Sequence, residues 1–194
     1  FVPDMTLSFM AKHTGLHLSI ISMSTGIILS SLDNLEIDIG ITYIGTDLVQ
    51  RFQAVPLYAE HYALLVAPGH PMAARKDISW AEAGRLPLCL LTGDMQNRRI
   101  IDRHLADAGV AVPPMLESNS MTMLHVHVRS GLVATIAALG QGNRFEPPME
   151  LVAIPIVDPA VTHEIGLVLK SREPHPPHVS AFLAMARKLK PPAP

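Results

Sequence analysis

The sequence is short of cysteine, of aromatic residues and of net charge, and each shortage removes a class of function. A single cysteine, Cys89, rules out a disulfide framework within the chain. It stands in the apolar run Pro87-Leu88-Cys89-Leu90-Leu91, where a free thiol serves as a small buried hydrophobe more readily than as a nucleophile. The formal charge is only -2, and lysine and arginine form no dense cluster. Phosphate neutralisation supplies most non-specific affinity for nucleic acid, so DNA is not held by this segment itself. Although 48% of the residues are hydrophobic and the mean hydropathy is +0.28, no apolar run approaches the roughly 18 residues of a membrane span. No basic stretch followed by an apolar one opens the chain, which points to the cytoplasm.

Catalytic signatures are missing as well. There is no Gly-x-Ser-x-Gly elbow, no Ser-x-x-Lys motif, no Walker loop and no Gly-x-Gly-x-x-Gly. Histidine is plentiful, but a metal needs three or four converging ligands. His125 and His127 on one helix project about 200° apart and cannot share one. No cofactor and no metal are expected.

What is present is an alternation of strand and helix patterns. Pro3 to Thr14 has a helix-start proline, apolar Met5, Phe9 and Met10, and a terminating Gly15. Leu16 to Ser22 alternates as a strand, and a helix follows from Ser24 to about Asn34. Leu35-Glu36-Ile37-Asp38-Ile39-Gly40-Ile41-Thr42 reads as the next strand, with isoleucines on one face and the carboxylates on the other. Gln53–Tyr58 and His61–Ala67 read as two further strands, and Ser79-Trp80-Ala81-Glu82 has capping-box spacing. A second series begins at Pro87: a strand at Leu88–Leu91, a helix ended by Gly109, a strand at Met115–Glu117, and a helix over Met121–Arg129. Strands follow at Leu132–Ala138, Leu151–Ile156 and His163–Leu169, then a helix from His178 to Leu189. This order predicts an α/β protein of two Rossmann-like lobes with mainly parallel sheets. Lobe I comprises residues 1–86 and 158–194, and lobe II residues 87–157.

Three strand-to-helix junctions carry Ser, Thr, Gly or Asn: Ser22–Gly26, Thr92–Arg98 and Ser118–Ser120. Such residues are common helix caps. Junctions at the carboxyl ends of parallel strands also offer free N–H groups and a helix dipole to a small anion. An enzyme using Glu36 and Asp38, or Asp94, is the competing reading. The sequence supplies no nucleophile or base to partner them, and Asp38 is expected to accept loop N–H groups while Glu36 stays solvated.

The ordered set Leu18-Ser19-Ile20, Ser24-Thr25, Asp38-Ile39-Gly40-Ile41, Pro56-Leu57, Leu65-Val66-Ala67 and His70-Pro71-Met72-Ala73 runs on through Ile78-Ser79-Trp80, Glu117-Ser118 and Val128-Arg129-Ser130-Gly131-Leu132 to Val152-Ala153-Ile154-Pro155-Ile156. Over nearly the whole chain it resembles the C-terminal effector-binding portion of LysR-type transcriptional regulators, whose fold is similar to that of periplasmic solute-binding proteins. The resemblance implies a cytoplasmic regulator that binds a small organic, anionic effector between two lobes. By position, Ser24 and Thr25 would hold the effector from the first lobe, and Thr92, Gly93, Asn97, Ser118 and Asn119 from the second. It further implies a homodimer or homotetramer, with DNA bound through a winged helix-turn-helix placed ahead of Phe1 together with the first strand of the fold. A transport receptor of the same fold is the alternative. The chain departs from the family at Leu35, where glycine is usual, and at Val133 and Ala138, where a second glycine and a proline are usual.

Overall fold

The computed structural model describes residues 2–140, 150–171 and 174–188. In chain order the elements are α1 (Val2–Lys12), α2 (Thr25–Asp33), β1 (Gly40–Tyr43), α3 (Thr46–Arg51), β2 (Phe52–Val66), β3 (Ile78–Ser79), α4 (Trp80–Ala83) and β4 (Cys89–Leu91). They continue with α5 (Gln96–Asp107), β5 (Leu116–Ser118), α6 (Met121–Arg129), β6 (Thr135–Gly140), β7 (Val152–Val157), β8 (Thr162–Lys170) and α7 (Pro177–Ala186). The predicted end of the last helix, Leu189, lies outside the described residues. The chain divides into two compact units, residues 1–59 with 164–194, and residues 60–163.

In unit 1, β8 is buried on both faces, as its run Ile165-Gly166-Leu167-Val168-Leu169 suggests. Leu167 and Leu169 meet Met5 and Phe9 of α1 and Phe182 and Leu183 of α7. Val168, on the opposite face, meets Ile28 and Leu32 of α2 and Leu48 of α3. The period-2 alternation of a strand thus separates two helical layers. β1 runs antiparallel to β8, Thr42 opposite Gly166.

In unit 2, β2 pairs antiparallel with β6, Leu64 opposite Ile136, and with β7, Leu64 opposite Ile154. β3 runs parallel to β7, and β4 parallel to β5. The core joins Leu65, Cys89, Leu124, Val128, Ala137 and Leu151. Burial raises the Cys89 thiol to about 11, in keeping with an inert hydrophobe. The capping box of α4 forms as its spacing predicts: Ser79 Oγ accepts from the Glu82 amide at 3.2 Å, and Glu82 Oε2 accepts from the Ser79 amide at 3.0 Å. Those bonds, led by the Ser79 amide and hydroxyl and helped by Arg75, hold the Glu82 carboxyl down at about 2.

Several expectations need correction. The sheets are mixed, not mainly parallel, because β2 and β8 run antiparallel to their neighbours β6, β7 and β1. Gln53–Tyr58 and His61–Ala67 are one 15-residue strand, and its second half pairs within unit 2. That pairing draws residues 60–86 into unit 2, where the sequence division had assigned them to lobe I, and the second boundary falls after His163 and not after residue 157. Leu16–Ser22 lies in no ladder among the described residues. Leu35 follows the cap of α2 with φ of 62°, the left-handed conformation that glycine adopts freely and that costs a leucine about 1–2 kcal/mol.

Candidate functional site

The polar junctions lie in both units. Ser24 and Thr25 belong to unit 1, while Thr92, Gly93, Asn97, Ser118 and Asn119 belong to unit 2.

In unit 1, Ser24 is buried at the amino end of α2, and its carbonyl accepts the Ile28 amide at 2.9 Å. Its hydroxyl makes no capping bond, so the first turn of the helix keeps its donors. Thr25 Oγ1 lies 2.7 Å from Thr42 Oγ1 of β1. Thr42 is buried, so one face of β1 orients the hydroxyl at the helix start. Sequence reasoning missed Thr42, although its alternation with Gly40 offered a signal. A Cβ built at Gly40 would stand 2.4 Å from Ile28 Cγ2, so the face bearing Gly40 and Thr42 packs on α2. Both neighbouring carboxylates are exposed, Glu36 as expected. Glu36 accepts from Ser31 Oγ at 2.8 Å and Asn34 Nδ2 at 3.3 Å. Asp38 is exposed, with Oδ1 3.7 Å from His178 Nε2.

In unit 2, the parallel register of β4 and β5 sets Leu91 opposite Ser118, and the Thr92 amide donates to the Ser118 carbonyl at 3.2 Å. The two polar junctions are thereby brought together. Carbonyl groups of the loop are taken up internally: Leu91 by Arg98 Nη1 at 2.7 Å, Thr92 by the Met95 amide at 3.0 Å, and Gly93 by Arg99 Nε at 3.2 Å. Arg98 is buried and also pairs with Asp102 at 2.7 Å and with Glu117. This arginine fixes the loop from beneath, a role its position among other charged residues did not disclose. Met95 gives α5 no side-chain cap, and Asn97 stands in the first helical turn. With carbonyls occupied and the helix uncapped, the junction favours an acceptor-rich ligand. The Thr92 hydroxyl is buried without a hydrogen-bond partner among the described residues. Ser118 Oγ accepts the Ser120 amide at 3.1 Å, and Asn119 is exposed.

Elsewhere in unit 2, His104 Nε2 lies 3.4 Å from His163 Nε2, beside the rings of Tyr62 and Trp80. Burial lowers both imidazole pKa values, and for His163 the charges of His104 and Arg103 lower it further. A depressed folded pKa contributes stability above the unfolded value of about 6.5, and that stability is lost as pH falls through the folded value. The urea midpoint should therefore drop below about pH 6.5, and His104→Gln should flatten that slope. An equal slope in the variant would remove the pair as its source.

The family model described as the LysR substrate binding domain matches residues 1–190. A probable nitrogen assimilation transcriptional activator of Synechococcus elongatus is 24% identical over 97% of this chain and 62% of its own length. The HTH-type transcriptional regulator CysB of Haemophilus influenzae is 28% identical over 71% of this chain and 42% of its own. The chain therefore spans roughly half of such relatives. Among solved structures, the Synechocystis PCC6803 CcmR regulatory domain in complex with 2-PG superposes with TM-score 0.83 at 17% identity, covering 100% of this chain and 93% of that one. The effector binding domain of QuiR in complex with shikimate gives 0.78 at 19%, covering 95% and 88%. At such identities the likeness establishes the fold.

Proposed function

The chain belongs to the LysR substrate binding domain family, and from that membership we propose that it senses a small organic anion through the junctions at Ser24-Thr25 and Thr92–Asn97. The family and the relatives are transcriptional regulators and not enzymes. In this reading Thr25 and Ser24 donate from one unit, Thr92, Gly93 and Asn97 from the other, with Ser118 and Asn119 at the margin. No bond of the effector is broken. Occupancy shifts a conformational equilibrium that a winged helix-turn-helix elsewhere in the polypeptide reports to DNA, within a cytoplasmic homodimer or homotetramer.

The carrying observation is the Thr92 hydroxyl, buried without a partner among the described residues at the uncapped start of α5. A buried polar group left unpaired costs about 1–3 kcal/mol, which a ligand acceptor at that position would recover. Calorimetric titration with a panel of small carboxylates and phosphorylated acids, including shikimate and 2-PG, tests this directly. A binder should lose about tenfold in affinity in Thr92→Val, equivalent to about 1.4 kcal/mol, with folding intact by circular dichroism. Unaltered affinity would take Thr92 out of the site.

A further inference from the structure

The groups offered to the effector from Ser24-Thr25 and from Thr92, Gly93 and Asn97 are all uncharged, whereas an anion leaving water is held best beside an opposite charge. Unit 2 places two arginines in the first turns of α5, adjacent in sequence and opposite in circumstance. Arg98 is buried and meets two carboxylates, Asp102 and Glu117, so it has no charge left to give a ligand. Arg99 is exposed and forms no ion pair among the described residues. Its hydrogen bond runs from Nε to the Gly93 carbonyl at 3.2 Å. That bond ties the side chain to the loop between β4 and α5 and leaves the donors of both Nη groups unengaged among the described residues. Long helical side chains lean toward the amino end of their helix, which is how Arg99 reaches back to this loop. Gly93 directly follows Thr92, whose hydroxyl is buried without a partner among the described residues. Asp94, the acidic residue of the loop, is exposed and makes no ion pair with Arg99.

We propose that Arg99 supplies the positive charge of the effector site, its two Nη groups clasping two oxygens of one carboxylate or phosphate group while the Thr92 hydroxyl donates to a further acceptor of the same molecule. The inference rests on the reading of the Thr92–Asn97 junction as an effector site and adds to it a residue that sets specificity. A planar guanidinium matches paired oxygens that share a negative charge. An amide or ester of the same acid offers one carbonyl and no charge, so the site prefers the acid. The bond to Gly93 also restrains the side chain before a ligand arrives, which lowers the ordering cost that a freely rotating surface arginine would meet. Arg98 and Arg99 thus divide the work: one braces the loop from beneath with its charge cancelled, and the other carries its charge to the ligand.

NMR titration of the chain with inorganic phosphate reads the site without knowledge of the effector. Saturable shifts are expected at the Arg99 side-chain N–H groups and at the amides of the loop that follows β4. The phosphate dissociation constant should rise about tenfold in Arg99→Gln. Between about 0.01 M and 0.15 M salt the Debye length shrinks from about 30 Å to about 8 Å, and the unaltered chain should lose affinity more steeply than this variant. Arg99→Lys keeps the charge without the fork, so it should retain most of the salt dependence and fall between the two in affinity. Arg103→Gln, farther along α5, should match the unaltered chain. An Arg99→Gln constant equal to that of the unaltered chain overturns the proposal. If Thr92→Val still weakens phosphate binding in that case, the junction stands without Arg99; if neither variant has an effect, or no shift saturates, the reading of the junction falls as well. Arg99→Lys binding as weakly as Arg99→Gln also overturns the proposal, by assigning Arg99 to the support of the Gly93 loop.

Discussion

Gly166→Ala is expected to lower stability by about 3 kcal/mol, at the upper end of the range for overpacking a closed core. A Cβ at this position would sit 2.2 Å from Ile44 Cδ1 and 2.6 Å from the Val55 carbonyl oxygen. The side chain of Ile44 can turn aside, but the carbonyl belongs to β2 and can move only with its strand. For a chain of this length the loss amounts to a fall of roughly 10 °C in Tm. Because Gly166 is the register partner of Thr42, displacement of β8 reaches the Thr25–Thr42 contact, and weaker effector binding should accompany the lost stability. Gly26→Ala, where nothing lies within 4 Å of the built Cβ, provides the contrast and should stay within about 0.5 kcal/mol. Urea midpoints measure both. A Gly166→Ala shift as small as that of Gly26→Ala would show that β2 yields to the added methyl.

Trp80→Ala is expected to cost about 3–5 kcal/mol. Trp80 is fully buried, its ring centroid 5.5 Å from that of Tyr62 and 4.9 Å from that of His104. Its Nε1 donates to the Pro159 carbonyl at 3.1 Å. Truncation leaves a cavity and removes that hydrogen bond together, whereas Trp80→Phe keeps most of the ring volume and should lose about 1–2 kcal/mol. The difference between the two variants, read from chemical denaturation, separates packing from the hydrogen bond. Equal losses would mean that the indole N–H bond carries the effect.

Much of the fold was legible because local chemistry decides it. Ser79 and Glu82 stand at capping-box spacing and form one, Met121–Arg129 is helical over the predicted span, and Gly109 follows α5 with φ of 75°. Legibility ended where distant residues decide. Ala59 and Glu60 interrupt the apolar alternation, yet β2 continues through them because ladders formed far along the chain hold its second half. Asp38 was expected to be the carboxylate that accepts hydrogen bonds, yet it is Glu36 to which the carboxyl end of α2 supplies Ser31 and Asn34. The junctions at Ser24-Thr25 and Thr92 were found from residue type and order. Thr42 and Arg98 were not, since each acts through contacts that only the folded chain creates.

The isolation of Cys89 has a kinetic meaning. With its thiol raised to about 11 by burial, on the order of one molecule in ten thousand carries a thiolate at pH 7, and the sulfur is engaged with the Leu124 carbonyl at 3.8 Å. The thiolate is the form that attacks oxidants and electrophiles, so while unit 2 is closed this sulfur is passed over. Only molecules whose core has opened offer it. Chemical damage at the chain's one thiol therefore accumulates as a tally of past unfolding, written by the protein on itself, and in the intact domain this thiol is shielded from the redox state of its surroundings.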